Sequence, residues 1–209
     1  MDNHCSPKKR LIIAITGATG AILGVRLLDV LKDLGHIETH LIVSDAGWLT
    51  IEHEMGLSKN DVRERAHTVH SSKNIGASIA SGSYPCDGMI VAPCSMKTLA
   101  EIAHGLSGNL ISRAADVTLK ERRRLTLLVR ETPLSLIHLR NMTTITEAGG
   151  IIFPPVPAFY HQPATLNDVI NHTVARVLDT HGIDAKLAPR WSSINAAPEW
   201  PTSTHTSDD

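Results

Sequence analysis

Short, uninterrupted apolar runs alternate along the chain with longer segments in which apolar residues recur every three or four positions. The first run, residues 11–15, has the pattern of a strand that is buried on both faces of a parallel sheet. A polar turn follows, and the apolar positions between Ile22 and Leu34 have the period of a helix that ends at Gly35. Residues 39–43 predict a second strand. A strand, a helix and a strand in this order predict a right-handed crossover.

The same alternation continues along most of the chain. We predict further strands at residues 88–92, 125–129 and 151–153, and further helices at residues 98–104, 110–120, 135–148 and 166–180. This order of elements predicts an α/β fold in which an open parallel sheet carries helices on both faces. Residues 11–191 are expected to form a single domain between flexible tails at residues 1–10 and 192–209. Residues 56–82 have weak periodicity and predict a helix and loops at most.

The composition excludes several classes of protein. The 209 residues include 20 Lys and Arg against 21 Asp and Glu, and this balance argues against a nucleic-acid-binding protein. The three cysteines are too irregularly spaced for a disulfide framework or a zinc knuckle. The apolar run after the basic residues 8–10 is too short for a secretion signal or a membrane span. We therefore expect a cytoplasmic protein that binds neither nucleic acid nor a membrane.

Chemically similar residues follow the predicted strands. A turn at residues 16–20 follows the first strand, Ser44 and Asp45 follow the second, and residues 93–95 follow the third. The carboxyl ends of parallel strands meet at one edge of the sheet, where ligands of such folds bind. Hydroxyl groups and helix N-termini at this edge predict a site for a heterocycle and an anion, phosphate in particular.

The glycines of the first turn do not define a nucleotide by themselves. Gly17, Gly20 and Gly24 give the spacing G-x-x-G-x-x-x-G, which differs from the dinucleotide-binding G-x-G-x-x-G. Short-chain dehydrogenases also require a Tyr followed four positions later by Lys, and neither Tyr84 nor Tyr160 has that Lys. The sequence therefore excludes hydride transfer by that route and indicates only a turn near an anion.

The charged residues near this edge allow two interpretations. Arg113 and Lys120 are seven positions apart, almost two helical turns, and so share one face of a predicted helix. On spacing alone we favour a solvated basic stripe. Glu131 follows the fourth strand beside Arg130, where a surface ion pair contributes little stability.

Three further residues are interpreted as structural. His67 and His70 have H-x-x-H spacing, but no Cys or carboxylate pattern supports a metal, so we expect a solvent-facing pair. Cys94 stands between a strand and a helix, a position that can lower the pKa of a thiol, but a packed thiol is the favoured interpretation.

Nine segments, in order along the chain, match the pattern of one family. They are residues 16–20, 93–98, 113–117, 119–123, 129–133, 137–142, 157–163, 174–176 and 189–191. With these segments the chain resembles the flavin prenyltransferases, and most of all the branch once called phenylacrylic acid decarboxylases. Each segment is weak alone, whereas nine in order are specific, and they cover nearly the whole of the predicted domain.

The resemblance implies a fold, a reaction and partners. The fold would be flavodoxin-like and would bind FMN. The enzyme would join a dimethylallyl group from dimethylallyl monophosphate to N5 and then C6 of reduced FMN, closing a fourth ring. The product, prenylated FMN, would serve a partner decarboxylase. No metal is required in the family, which commonly assembles as a homo-oligomer, a dodecamer.

The resemblance also implies roles for individual residues. Flavin binding is implied for Gly17, Ala18, Thr19, Ser44, Ser95, Thr98 and Arg130. Binding of the substrate phosphate is implied for Lys120, Tyr160, Arg176 and, from a neighbouring subunit, Arg113. Catalytic roles are implied for Thr19, Glu54, Lys120 and Glu131, and an apolar pocket wall for Trp191. Charge-assisted hydrogen bonds suit this task, because they strengthen as charge develops on the departing phosphate.

Two of these positions carry further expectations. Glu131 lies among cations, so it should stay ionised and remove the C6 proton or relay a proton to phosphate. Many members of the family have Ser where this chain has Thr19, and Pro where it has Val129. Neither difference removes a chemical group.

Two alternatives stay open. The first is a flavin-dependent cysteine decarboxylase, whose third-strand motif shares Pro93, Ser95 and Thr98, with His53 as a weak candidate base. The second is an FMN-binding subunit of a hydroxyarylic acid decarboxylase complex, which sequence separates poorly from a transferase. The cations favour prenyl transfer over the first alternative, because a peptide substrate does not require them. Direct decarboxylation of phenolic acids is disfavoured.

Overall fold

The computed structural model describes residues 9–191 together with residues 193 and 200. The chain divides into two compact units, unit 1 up to Pro155 and unit 2 from Val156 onward. Residues 1–8, and residues 192–209 apart from the two just named, lie outside the described residues. The flexible tails predicted there stay a prediction.

Unit 1 contains a sheet of six parallel strands in the order β3-β2-β1-β4-β5-β6. The strands are β1 (Lys9–Ile15), β2 (Ile37–Val43), β3 (Thr68–Ser71), β4 (Gly88–Cys94), β5 (Arg124–Val129) and β6 (Ile151–Ile152). The strand order reverses between β1 and β4, which is the place where open α/β sheets bind ligands. The predicted parallel sheet is confirmed.

Six helices of unit 1 connect these strands. They are α1 (Ala21–Leu34), α2 (Asp45–Met55), α3 (Lys59–Arg63), α4 (Met96–Ala103), α5 (Leu110–Lys120) and α6 (Leu136–Glu147). Five of them begin with a side chain that accepts a backbone N–H of the first turn, from Ser44, Ser58, Ser95, Asn109 and Ser135. Such caps satisfy amides that the helix itself leaves without a partner.

The centre of the sheet is the core of unit 1. Every residue of β4 is buried, and β1 is buried from Leu11 to Ile15. Side chains of these strands pack against apolar residues of α4 and α5, among them Leu99 and Ile111. The continuous apolar runs therefore belong to strands that are covered on both faces, as predicted.

The structure departs from the prediction at the edge of the sheet. Residues 56–82 contain the helix α3, as predicted, but they also contain the strand β3, which the prediction missed. It has four residues of alternating exposure and pairs only with β2, so no apolar run marks it. Lys9 and Arg10, which were expected in a tail, are part of β1, and Arg10 forms an ion pair with Glu38 of β2 at 2.7 Å.

Unit 2 contains a short 3-10 helix at Phe159–His161 and the helix α7 (Leu166–Thr180). Thr165 caps α7 as predicted, and Asp168 completes a reciprocal capping box with it. The indole Nε1 of Trp200 donates to the carbonyl oxygen of His161 at 3.1 Å. No helix within the described ranges is long and apolar enough to cross a membrane.

Candidate active site

The two central strands are joined at their carboxyl ends by Thr16. Its hydroxyl donates to the carbonyl oxygen of Pro93 at 2.8 Å and accepts the N–H of Ser95 at 2.8 Å. Thr16 is 1% exposed, so both hydrogen bonds are shielded from water. The residue therefore fixes the floor of the crevice that opens where the chain leaves β1 and β4 in opposite directions.

A cavity of about 540 Å³ occupies this crevice, within the size range of small-molecule sites. Four of the predicted flavin-binding residues line it, namely Gly17, Ser44, Ser95 and Thr98. We call it the sheet-edge cavity. The structure thus brings together polar residues from the ends of three different strands, as the strand pattern predicted.

The hydroxyl groups of this cavity are held by the helices that they cap. Ser44 Oγ accepts the N–H of Gly47 at 2.9 Å in the first turn of α2. Ser95 Oγ accepts the N–H of Thr98 at 3.3 Å and donates to its hydroxyl at 3.2 Å. Two helix N-termini therefore point to one cavity, an arrangement that favours an anion.

Two glycines, Gly17 in the cavity lining and Gly24 in α1, allow close packing around the central strands. A Cβ atom at Gly17 would overlap the side chain of Ala46 in α2. A Cβ atom at Gly24 would overlap the carbonyl oxygen of Ala92 and lie 2.7 Å from Ile15 Cγ1. These positions need glycine because helices and strands pack too closely for any side chain.

Glu54 lies beside the turn that follows β1, although it is 34 residues from Gly20 along the chain. Its carboxylate accepts the backbone N–H groups of Gly20 and Ala21, each at 3.0 Å. Negative charge at the N-terminus of α1 is favourable, and Gly20 has no side chain to supply a cap. The contact brings Glu54 to the loop that contains Thr19, two of the predicted catalytic residues.

Several residues of the sheet-edge cavity were not predicted from the sequence. They are Lys73, Lys97, Glu101 and Asn109. Lys97 forms an ion pair with Glu101 at 3.2 Å, and Asn109 Nδ2 donates to the same carboxylate at 3.1 Å. Lys97 lies in the segment 93–98 that matches the family, and this match was the only feature of the sequence that could have marked it. Residues 72–73 follow β3, the strand that was not predicted.

Arg113 and Lys120 lie on α5, whose predicted bounds are confirmed. Arg113 forms an ion pair with Asp116 at 2.9 Å, and Lys120 with Glu121. Among the described residues, neither cation lines the sheet-edge cavity. Within one chain the structure therefore does not bring them to the predicted flavin residues.

Arg130 and Glu131 follow β5 and are exposed. The N–H of Arg130 donates to the carbonyl oxygen of Cys94 at 3.2 Å, which ties the end of β5 to the end of β4. Glu131 Oε1 accepts the N–H of Thr132 at 3.0 Å. The backbone of Arg130 therefore contacts Cys94, the residue before Ser95. The side chain of Arg130 is not among the described residues that line the sheet-edge cavity.

Unit 2 has a cavity of its own, of about 330 Å³, which we call the arginine pocket. Tyr160, Arg176 and Trp191, for which the resemblance implied roles at the substrate, line this pocket together. The rings of Tyr160 and Trp191 meet edge to face at 5.2 Å. Arg190, which the sequence did not single out, also lines this pocket and shares Asp179 with Arg176 at 2.9 and 2.7 Å.

The two histidines and the cysteine singled out earlier have structural partners. His67 Nδ1 accepts the N–H of Thr39 at 3.2 Å, and His70 Nε2 lies 3.0 Å from Nδ1 of the buried His40. The expectation of a solvent-facing pair is therefore wrong for His70. Burial raises the pKa of the Cys94 thiol, so this residue is packed and unreactive.

Comparisons with known proteins identify the family. The model of the Flavoprotein family matches residues 1–178. Flavin prenyltransferase UbiX of Salmonella typhimurium strain LT2 is 55% identical over 185 residues, which are 88% of this chain and 98% of that protein. The chain belongs to the flavin prenyltransferase family. The predicted family is thereby confirmed.

Solved structures of UbiX proteins share the fold of this flavin prenyltransferase. The crystal structure of AnUbiX (PadA1) in complex with FMN and dimethylallyl pyrophosphate matches with a TM-score of 0.88 and 50% identity over 89% of this chain and 98% of that one. The dodecameric FMN-dependent UbiX-like decarboxylase from Escherichia coli O157:H7 matches with a TM-score of 0.86 and 49% identity over 88% of this chain and all of that one. The predicted flavodoxin-like fold is confirmed.

Proposed function

We propose that this chain joins the dimethylallyl group of dimethylallyl phosphate to N5 and C6 of reduced FMN and releases prenylated FMN. The observation that carries the proposal is the match to flavin prenyltransferase UbiX at 55% identity over 98% of that protein. The predictions of a transferase and of FMN as its flavin are confirmed by this family membership. In the overall reaction the allylic carbon–oxygen bond breaks, and carbon bonds form to N5 and C6 as each of these atoms loses a proton. One of the two protons adds to the former double bond of the dimethylallyl group, and the other leaves with the phosphate.

The sheet-edge cavity fits a flavin mononucleotide on the chemistry of its lining. It offers short hydroxyl side chains and two helix N-termini, which suit the ribityl chain and the phosphate of FMN. The residues that would hold FMN are Gly17, Ala18, Thr19, Ser44, Ser95, Thr98 and Arg130. When bound, reduced FMN supplies the nucleophilic nitrogen and carbon of the reaction.

The arginine pocket supports a role in binding the substrate phosphate. Arg176 presents a guanidinium fork to the pocket, and the hydroxyl of Tyr160 adds a second donor. The resemblance assigns the same phosphate-binding role to Lys120 and, from a neighbouring subunit, to Arg113, and both residues lie on α5. Trp191 would form an apolar wall that excludes water from the allyl group as the phosphate departs.

The acidic residues would move protons. Glu131 is exposed at the end of β5 beside Arg130, and its carboxylate would take the C6 proton or pass a proton to phosphate. Glu54 holds the amides of the first turn in this structure, and that contact places its carboxylate next to Thr19. We assign Thr19, Glu54, Lys120 and Glu131 to the catalytic machinery on this basis.

The assembly and the recipient of the product are part of the same proposal. The similarity to a dodecameric UbiX-like protein supports a homo-oligomer, a dodecamer, in which Arg113 reaches a neighbouring active site. The recipient would be a decarboxylase that depends on prenylated FMN. We place the reaction in the cytoplasm and assign it to one catalytic domain, residues 11–191, without a metal ion.

One measurement tests the proposal against both alternatives. The purified chain is mixed without oxygen with reduced FMN and dimethylallyl monophosphate, and the flavin is then analysed by mass spectrometry. A transferase increases the flavin mass by one prenyl unit and releases phosphate. Unchanged FMN with released phosphate, or FMN that is bound and recovered unaltered, would refute prenyl transfer. No feature of the described residues specifically favours a cysteine decarboxylase or a carrier subunit.

A further inference from the structure

Two buried histidines lie behind the arginine pocket. His161 ends the 3-10 helix of unit 2, and His172 stands on α7. Their ring centroids are 4.5 Å apart, and the two residues are only 4% and 8% exposed. This contact could not be predicted from the sequence, because neither histidine belongs to a recognisable pattern of ligands.

The histidine pair supports the aromatic side of the pocket. The ring of Tyr160 packs on His161 at 4.0 Å and meets His172 edge to face at 6.1 Å. Its other neighbour is Trp191, at 5.2 Å. Tyr160 is itself 53% exposed, so these ring contacts hold a side chain that faces the pocket.

His172 is packed as a neutral ring. Its Nε2 atom is buried and makes no hydrogen bond within the part of the chain that the structure describes. A protonated imidazole must place two N–H donors, and a donor buried without an acceptor is costly. Protonation of His172 is therefore disfavoured as long as the ring stays in place.

The charges around the pair mainly act in the same direction. Burial lowers the pKa of both histidines, and Arg176, one turn further along α7, lowers both as well. His161 lowers the pKa of His172 further, whereas Asp179 raises it. Asp179 is already engaged by Arg176 and Arg190, so it is a weak partner for a histidine cation.

We propose that His161 and His172 are positioning residues that hold Tyr160 in the arginine pocket only while both rings are uncharged. Protonation of the pair would separate the rings and release Tyr160 from Trp191. The proposal rests on the phosphate-binding role assigned to Tyr160 above. It predicts that binding of the allylic phosphate weakens at low pH because of this pair, whereas FMN binding in unit 1 does not depend on it.

The direction of the pH effect follows from the lowered pKa values. Released histidines take up protons below about pH 6.5, whereas the packed rings do not. The equilibrium constant for release therefore rises as the pH falls below about 6.5, by up to about tenfold per pH unit for each histidine, and levels off once the packed rings titrate. Above about pH 7 the pair is fully packed.

Amide hydrogen exchange measures this release in the full-length protein. The N–H of Gln162 donates to the carbonyl oxygen of Phe159 at 2.9 Å and reports on the 3-10 helix. Its protection factor, taken relative to the intrinsic rate at each pH, should fall by up to about 30-fold between pH 6.5 and 5.5 in the wild type, which is about fivefold for each histidine. In His172→Phe, which keeps a ring but no titrating group, the fall should be about fivefold at most.

A kinetic experiment connects release to the pocket. The KM for dimethylallyl monophosphate should rise in the wild type once release becomes populated in acid, and His172→Phe should delay that rise to lower pH with the same kcat and FMN affinity. Titration of the substrate phosphate is common to both proteins and cancels in the comparison. His36→Gln, which removes an exposed histidine after α1, should behave as the wild type does.

The outcomes separate the proposal from the proposed function. A protection factor that does not depend on pH in the wild type, or equal slopes in wild type and His172→Phe, would overturn the pair as a titrating element. A pH-dependent release without a change in KM would overturn its positioning role. If His172→Phe does not fold at neutral pH, the proposal is contradicted, because it gives the ring of His172 no role at that pH that phenylalanine cannot fill. The pH dependence of the wild-type protection factor can be measured in that case as well. Absence of prenyl transfer would refute the function and leave the exchange result intact.

Discussion

The sheet-edge cavity and the arginine pocket are built from different kinds of interaction. In the first, buried residues such as Thr16 join strand ends, and short side chains cap helices. In the second, long and largely exposed side chains such as Arg176 and Arg190 converge on Asp179. The comparison indicates that the first site is inseparable from the fold, whereas the second can change its ligand contacts at little cost in stability.

The largest effect is expected where α1 packs directly on the backbone of the central strands, behind the sheet-edge cavity. Gly24→Ala would place a Cβ atom 2.2 Å from the backbone carbonyl oxygen of Ala92, an overlap that only a shift of the backbone can relieve. We expect a loss of about 3 kcal/mol in the free energy of unfolding, measured by urea denaturation, with a parallel loss of FMN binding. Gly76→Ala is the matched control, because the nearest atom to its added Cβ is 3.6 Å away. Equal stability of the two variants would break the comparison.

A smaller but more specific effect is expected at Thr16. Thr16→Val keeps the shape of the side chain but leaves the N–H of Ser95 and the carbonyl oxygen of Pro93 without this partner. The expected cost is about 2 kcal/mol of stability, together with weaker FMN binding. Thr16→Ser, which retains the hydroxyl, should restore most of both. Thermal unfolding and an FMN titration of the two variants provide the measurements, and a Val variant that binds FMN normally would contradict this account.

The arginine pocket should show the opposite behaviour. Arg176→Ala removes a charge-assisted contact to phosphate and should raise the KM for dimethylallyl monophosphate by about tenfold or more. The change in unfolding free energy should stay within about 0.5 kcal/mol, since the side chain is exposed and Asp179 keeps Arg190. Steady-state kinetics and an FMN titration distinguish the sites. A proportional loss of FMN affinity would show that the two sites are not separable.

The smallest effect tests whether the loss of unfolding free energy depends on the kind of interaction that is removed or on the unit in which it lies. Arg113 pairs with Asp116 on α5, in the same unit as the sheet-edge cavity but with both side chains only partly buried. Asp116→Asn should change the unfolding free energy by less than about 0.5 kcal/mol. Denaturation of this variant beside Thr16→Val makes the comparison within unit 1. A loss as large as that of Thr16→Val would mean that partly buried ion pairs also support the fold.

The fold could be predicted wherever burial produces a continuous pattern. Helices α5 and α7 have the predicted bounds, because their apolar faces repeat over at least three turns and end in recognisable signals. The edge strand β3 could not be predicted, since it is half exposed and buries no apolar run. Strand limits were also placed too short where polar residues such as Arg10 continue the pairing.

The candidate site was predictable as far as strand ends determine it. Ser44 and Ser95 could be placed at one edge because each follows a buried strand directly. The contact of Glu54 with the first turn could not be derived from spacing, since it depends on how α2 packs beside α1. The same is true of His161 and His172, whose contact arises from the packing of unit 2. Family resemblance supplied residues such as Arg176 that no pattern marks.

The short outer strands bear on how copies of this chain can associate. The edges of the sheet are β3, with four residues, and β6, with two. Such short edge strands expose few main-chain donors and acceptors to a neighbouring chain. Edge-to-edge pairing of two sheets would therefore form few hydrogen bonds and add little stability. Contacts between subunits would therefore be made by the side chains of helices and loops. Substitutions at these positions can change the contacts without disturbing the strands of the sheet.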